Sequence, residues 1–319
     1  MSSEQNAEEL DNIIRNELLT PFFQPIFSTH RAKIYGYEAL ARGPSMSALH
    51  YPRTLFQVAA KQHRLVEVDM LARKIAIRHF KQLGLSGKLF LNVMPHTLFQ
   101  NDFREGATLE FLHQEGVDPQ RVVIEVTEHS HINDYSLMRH ALDHYRRMGF
   151  RVALDDLGAG SAGLGHWAEL GPDYVKTSHY FCQHIDTDLA KHKFLDYLLE
   201  VSRNLGCEII FEGVERREEY ETLVALNGNL LQGHYISFPA ANPPQDIDQV
   251  QRDNCLPVTR GEHSCEQSQL MEFMPMREAI DASSAEESSS AGQLNKDAAI
   301  GAETTSELSR CPLASFVVF

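Results

Sequence analysis

The sequence predicts an α/β chain closed into a modified (β/α)8 TIM-type barrel with one antiparallel strand, plus a disordered C-terminal tail. Apolar runs of strand length recur with helical stretches between nearly all of them, and about eight strands in roughly 240 residues is the size of such a barrel. One junction is too short for a parallel crossover, which marks the reversed strand. A shift in composition near Pro243-Pro244 marks the end of the folded part.

Residues 7–19, AEELDNIIRNELL, place Leu10, Ile13, Ile14 and Leu18 on one helical face, so residues 1–20 read as an amphipathic helix leading into the domain. Strands are expected at 22–27 (FFQPIF), 34–40 (IYGYEAL), 88–93 (KLFLNV), 121–126 (RVVIEV), 150–155 (FRVALD), 173–176 (DYVK), 208–212 (EIIFE) and 229–235 (NLLQGHY). Most are continuous apolar runs, as strands covered on both faces should be. Helical stretches between them include 66–82, 136–148, 187–205 and 215–227. Only Ser28 to Ala32 separate the first two strands, so that pair is expected to form an antiparallel hairpin. The barrel domain is assigned to 21–242. From 243 to 319, runs such as DASSAEESSSAGQ carry too few apolar residues to offset the entropy of ordering them.

The 319 residues hold 29 Lys plus Arg against 44 Asp plus Glu, a formal net charge of -15. That balance offers no general attraction to a nucleic acid polymer. The tail has 5 basic and 13 acidic side chains, net -8, which leaves the folded part at -7. No run approaches the roughly 18 apolar residues of a membrane helix, and the acidic start MSSEQNAEEL is unlike an export signal. No membrane insertion is expected, and the cytoplasm is the expected location. Five cysteines, Cys182, Cys207, Cys255, Cys265 and Cys311, form no C-x-x-C pair and are too sparse for a disulfide scaffold.

Chemistry is expected where barrel enzymes keep it, at the carboxyl ends of the strands. Reading along the chain, those ends carry Glu38, Asn92, Glu125, Asp155 with Asp156, Lys176, Glu212 and Gln232. One closed sheet would bring these carboxylates, two amides and one ammonium to a single mouth. Any one of these acids could be a helix cap or a solvated loop residue, but their repetition strand after strand points to a site. Converging carboxylates raise one another's pKa and are costly to desolvate, and bound cations resolve that conflict. Oxygen ligands from Asp, Glu and Asn suit hard ions, so Mg²⁺ or Mn²⁺ is expected rather than zinc. The Asp155-Asp156 pair points to two ions, which about 3.5–4 Å apart would acidify a water and steady an in-line phosphoryl displacement.

These residues lie within Gln24-Pro25-Ile26, Glu38-Ala39-Leu40-Ala41-Arg42, Leu91-Asn92-Val93 and Glu125-Val126-Thr127-Glu128. Leu154-Asp155-Asp156-Leu157-Gly158-Ala159-Gly160, Asp173-Tyr174-Val175-Lys176, Glu212-Gly213-Val214-Glu215 and Gln232-Gly233 follow in order, closing with Pro239. The series resembles the EAL-domain family over about residues 20–240. The resemblance implies a bacterial cyclic di-GMP phosphodiesterase on a modified (β/α)8 barrel that yields linear pGpG. It implies that Glu38, Asn92, Glu125 and Asp155 hold one metal, that Asp156 helps hold the second, and that Glu212 completes the cluster. It also implies that Lys176 contacts the attacking water, that Arg42 faces the substrate phosphate with Leu40 and Gln232 in the substrate site, and that Glu128 and Glu215 anchor loops. The family's tendency to pair makes a homodimer the expected assembly.

Three positions depart from the family pattern. Thr177-Ser178 stand where an apolar residue and an Asp are usual, Ser161-Ala162-Gly163 replace a bulky residue and two serines, and Asn229 replaces an Asp. None removes an expected cation ligand, so turnover is expected, with a catalytically weak cyclic di-GMP receptor as the alternative. The spelling G-x-G-x-x-G over residues 158–163 suggests a more distant alternative, an NAD-binding oxidoreductase. Two aspartates immediately before that loop would repel a pyrophosphate. His129 and His131 follow a strand end, whereas His140 and His144 read as a solvated helix face and Trp167 as a helix anchor.

Overall fold

The computed structural model describes residues 3–94, 106–127, 135–158 and 163–246. Strands β1 (Thr20–Ser28), β2 (Lys33–Arg42), β3 (Lys88–Asn92), β4 (Val122–Thr127), β5 (Arg151–Leu157), β6 (Tyr174–Thr177), β7 (Glu208–Phe211) and β8 (Leu230–Leu231) close into a barrel in chain order. As the short Ser28 to Ala32 connection requires, β1 runs antiparallel to β2, with Gln24 opposite Glu38, and is likewise antiparallel to β8. Every other neighbouring pair is parallel. A closed barrel is not the open sheet to which a dinucleotide fingerprint belongs, so G-x-G-x-x-G loses its context here.

Helices α1 (Ser3–Arg15), α2 (Pro52–Lys61), α3 (Leu65–Gln82), α4 (Ala107–Glu115), α5 (Tyr135–Arg147), α6 (Gly163–Leu170), α7 (His179–Cys182), α8 (Leu189–Leu205) and α9 (Arg217–Ala225) lie between or before the strands. Outward strand residues such as Tyr37, Leu89, Ile124, Val152, Val175 and Ile209 share one apolar cluster with helix residues such as Phe80, Leu142 and Leu195. Trp167 belongs to that cluster, which is the anchoring role expected of it. A second cluster sits inside the barrel: Ile26, Phe90, Val123, Ala153, Tyr174, Ile210 and Leu230 point inward and fill it. Such a filled interior is a floor rather than a channel. Burial pushes the thiols of Cys182 and Cys207 up to about 12, so both behave as small apolar residues.

The structure departs from the expected elements at three ends. Helix α1 stops at Arg15 rather than Leu19, because Glu17 takes a left-handed backbone (φ 52°) that turns the chain into β1. Leu18 therefore leaves the buried face and is 40% exposed, while Leu10, Ile13 and Leu19 are buried. Strand β8 has two residues instead of 229–235, since after Gln232 the Ile236 and Ser237 N–H groups turn back to the Gly233 carbonyl. The ordered chain continues past 242, where the Tyr37 hydroxyl donates to the Pro244 carbonyl (3.0 Å). The tail from 247 onward lies outside the described residues. Among the described residues no helix is long and apolar enough to cross a membrane.

One polar device ties the helical layer together. Arg73 of α3 is buried with Asp69 (2.7 Å) and also donates to the Thr108 hydroxyl of α4 (2.6 Å) and the Tyr145 hydroxyl of α5 (3.3 Å). Removing one partner of a buried ion pair strands the other charge. Asp69→Ala is expected to cost about 3–5 kcal/mol, measured as a lower urea midpoint. A loss below about 1 kcal/mol would show the pair to be unimportant.

Candidate active site

The pleat of the sheet builds the site. Side chains alternate along a strand, so the residue two positions beyond an inward apolar residue also points inward, one level nearer the carboxyl end. Gly36 thus leads to Glu38, Phe90 to Asn92, Val123 to Glu125, Ala153 to Asp155, Tyr174 to Lys176, Ile210 to Glu212 and Leu230 to Gln232. In the reversed β1 the count runs backward, from Ile26 to Gln24. Apart from Asp156, the predicted series is therefore one ring, set directly on the apolar floor.

Lys176 is its centre. The side chain is 1% exposed, and Nζ lies 2.9 Å from Glu38 Oε2, 3.0 Å from Glu125 Oε1, 2.5 Å from Glu212 Oε1 and 3.5 Å from Asp155 Oδ1. Asn92 Nδ2 donates to Glu38 Oε1 (3.0 Å), and Gln232 Nε2 donates to Glu38 Oε2 (2.8 Å). Gln24 accepts from Gln232 (3.2 Å) and donates to the Ser237 carbonyl (3.2 Å). Gln24 belongs to the motif Gln24-Pro25-Ile26, and the backward count along β1 is the signal that assigns it to the ring.

Burial shapes the protonation of the ring. It pushes Glu125 and Glu212 well above the ordinary carboxylate range, against the attraction of Lys176 and with repulsion from the other acids. Asp155 is pushed up to about 6, first by burial and then by Glu38 and Asp156. Burial would also raise Glu38, but Lys176 and the Asn92 and Gln232 amides outweigh it and hold Glu38 below its ordinary value. Desolvation opposes the Lys176 ammonium, yet the surrounding carboxylates, Asp155 foremost, hold its pKa well above that of a free lysine.

The remaining predicted residues divide by place. Glu38, Leu40 and Arg42 alternate along the inward face of β2 toward the rim, as a pleated strand requires. The Arg42 guanidinium lies over the Phe22 ring (5.4 Å to the centroid) and has no ion-pair partner among the described residues. Asp156 sits at an irregularity between Leu154 and Leu157 with φ 59°, a conformation that costs a non-glycine residue energy and is typical of functional sites. Ser178 caps α7, its carbonyl accepting from the Phe181 N–H (3.0 Å). Asn229 lies at the opposite end of β8, bonded to Ser28 (2.8 Å) and Glu208 (3.1 Å), so its departure from the family pattern is remote from the ring. Glu128, His129, His131 and residues 159–162 lie outside the described residues.

Among the described residues the side chain of Glu215 meets only two histidines. Its carboxylate is half exposed, 3.9 Å from both His179 Nε2 and His234 Nδ1, and the hydrogen bonds that fix its loop end on Glu219. Sequence reasoning missed Glu219, whose only signal was its position in the first turn of a helix.

The ring suits hard cations. Both Glu125 oxygens are buried without a hydrogen-bond partner, although Oε1 is close to Lys176, and Gln232 Oε1 is likewise buried and unpartnered. Buried acceptors are normally satisfied, and unpartnered oxygens among clustered carboxylates are what a divalent ion would complete. Glu38, Asn92, Glu125, Asp155, Asp156 and Glu212 are the residues able to hold one.

A model of the EAL domain matches residues 7–239, and the chain belongs to that family. It is 28% identical over 245 residues to the probable cyclic di-GMP phosphodiesterase PdeG of Escherichia coli, covering 73% of this chain and 46% of that protein. It is 26% identical over 238 residues to the uncharacterized EAL-domain containing protein YkuI of Bacillus subtilis, covering 73% and 58%. The chain thus spans about half the length of these curated relatives. Among solved structures, a standalone versatile EAL protein from Vibrio cholerae in a c-di-GMP bound form has a TM-score of 0.66 at 26% identity, covering 73% of this chain and 97% of that one. Klebsiella pneumoniae BlrP1 in a manganese/cyclic di-GMP complex has a TM-score of 0.65 at 28% identity, covering 70% and 56%.

In metal-free protein the folded state keeps the Asp155 proton up to about pH 6, whereas an ordinary Asp releases it near 3.8. The stability this group contributes is therefore present below pH 4 and is lost as pH rises through 6. Asp155→Asn removes that loss. Urea unfolding in EDTA should show the variant gaining on the parent by up to about 2–3 kcal/mol between pH 4 and 6. A pH-independent difference would contradict the burial of this carboxyl.

Proposed function

We propose that the chain is a metal-dependent phosphodiesterase that hydrolyses cyclic di-GMP to linear pGpG. The observation that carries this is the closed ring of carboxylates around Lys176 on an apolar floor, with Glu125 Oε2 and Gln232 Oε1 buried and unpartnered. The cyclic di-GMP complexes of the Vibrio and Klebsiella proteins support the choice of substrate. Glu38, Asn92, Glu125 and Asp155 would hold one Mg²⁺ or Mn²⁺, Asp156 would help hold a second, and Glu212 would complete the cluster. When bound, such ions supply an acidified water and neutralise charge on the phosphoryl oxygens.

The chain's own residues do the rest. Lys176 keeps its proton and donates toward the attacking water as negative charge develops there. Arg42, with a planar fork of donors and no ion-pair partner among the described residues, takes the substrate phosphate, while Leu40 and Gln232 flank the nucleotide. The floor beneath excludes water and strengthens each of these interactions. A nucleotide messenger inside the cell agrees with a cytoplasmic location. A homodimer is supported by an apolar stripe exposed along α8, comprising Phe194, Tyr197, Val201 and Leu205.

A second reading, a cyclic di-GMP receptor without turnover, is favoured by Ser178, which stands where catalytic relatives have an acid. Hydrolysis of cyclic di-GMP by purified protein with Mn²⁺ or Mg²⁺ separates the two. Product is expected from the parent, and Glu38→Ala should reduce kcat by at least about 10³-fold, the loss of roughly 4 kcal/mol of transition-state stabilisation. Binding with no turnover by the parent would move the protein to the receptor class. Tyr197→Lys is expected to halve the particle mass in sedimentation, and a monomeric parent would remove the dimer.

A further inference from the structure

The connection that carries Glu212 is tied down at one buried point. Glu219, in the first turn of α9, is 2% exposed. Its Oε2 accepts the backbone N–H groups of Glu215 (3.0 Å) and Arg216 (3.1 Å). Its Oε1 accepts the His184 backbone N–H (2.9 Å) and Arg216 Nε (3.0 Å). Four donors fill the capacity of a carboxylate. Arg216 extends the tie by pairing with Asp186. The carboxylate thereby joins the connection after Lys176, residues 178–188, to the connection after Glu212.

Little slack remains between Glu212 and that tie. Gly213 has φ 71°, and a Cβ there would lie 2.3 Å from the His179 ring, so only glycine lets the two connections pass this closely. The Val214 N–H donates to the Gln232 carbonyl (3.1 Å), and the Val214 carbonyl accepts the Tyr235 N–H (3.0 Å). Glu215 and Arg216 then meet Glu219. Each residue from 213 to 216 is thus held, and Glu212 stands at the start of the held segment with its carboxylate 2.5 Å from Lys176.

The same cluster is not a cation site. His184, Asp186 and Glu219 lie near enough to one another to share an ion, but the Arg216 guanidinium and three backbone N–H groups already occupy Glu219, and an ion would face that guanidinium. Burial would raise the Glu219 carboxyl, yet its donors outweigh burial and hold it below the ordinary range, so it is a fixed anionic tie.

We propose that Glu219 is a positioning residue that fixes the aim of Glu212, so that the ring's affinity for divalent ions depends on a carboxylate outside the ring. This rests on the assignment of Glu212 to the metal-binding set. Partners that orient a metal ligand typically change affinity or activity by about 10–100-fold when removed. Glutamine keeps the shape of Glu219 but presents an NH₂ group to N–H donors, and aspartate keeps the charge but falls a methylene short.

Calorimetric titration of the full chain with Mn²⁺, without nucleotide, tests the proposal on Glu219→Gln, Glu219→Asp and the exposed same-helix control Glu221→Gln. Mn²⁺ affinity should fall about 10-fold or more in Glu219→Gln, less in Glu219→Asp, and stay at the parent value in Glu221→Gln. Saturating Mn²⁺ should restore most of the hydrolysis rate, with KM for cyclic di-GMP little changed, a split that general destabilisation would not produce. Melting curves identify the folded variants, and Glu219→Asp decides the matter if the glutamine form does not fold. Unchanged Mn²⁺ affinity in a folded variant, or a rate loss that excess Mn²⁺ does not repair, overturns the proposal. A parent protein that fails to bind Mn²⁺ overturns the phosphodiesterase reading itself.

Discussion

The charge balance around Lys176 governs the rest of the structure. A lysine buried to 1% exposure is tolerable here because Glu38 and Glu125 are themselves buried, Asp155 and Glu212 are partly so, and all four are in want of positive charge. One ammonium cannot balance the whole ring, and burial raises Glu125, Asp155 and Glu212 in consequence. The site is in this sense underneutralised by construction. A folded domain normally avoids that arrangement, because clustered acids in a low-dielectric setting cost stability. Its presence at the mouth of a barrel is the strongest physical sign of cation chemistry among the described residues.

The fold supplies this at small informational cost. The floor residues, from Ile26 around to Leu230, exclude water and fix where each strand stands. The next inward position on every strand then needs only the right side chain. Even the reversed strand conforms, since Gln24 faces Glu38 across the hairpin and reaches Gln232 on the far side. Chemistry and packing occupy successive levels of one pleat, so substitutions in the floor alter the geometry of groups they do not resemble.

That regularity explains how much of the barrel and its ring is legible in the sequence. Strand-end acids are legible because apolar runs are conspicuous and the last polar residue of each run is easy to mark, and the five-residue Ser28 to Ala32 connection permits nothing but a hairpin. Leu18 was misplaced because periodicity alone does not register where a chain reverses, here at Glu17. The length of β8 was misjudged because HY after Gln232-Gly233 has strand propensity, while hydrogen bonds back to Gly233 turn it aside. Glu219 was invisible for a different reason: an acid at the start of a helix has an ordinary local role, and only the arrival of His184 from another connection gives it a second one. Long-range ties of that kind leave no spacing to detect.

Strand β8 meets β1 at two residue pairs, Phe27 with Leu231 and Ser28 with Leu230, a narrow seam for a barrel of this size. Gln24 and Gln232 bond across it on the side of the ring. Any shift at this closure acts on the Gln24–Gln232 bond and, through the Gln232 amide, on the Glu38 carboxylate, so the join between the two ends of the sheet is coupled directly to the chemistry.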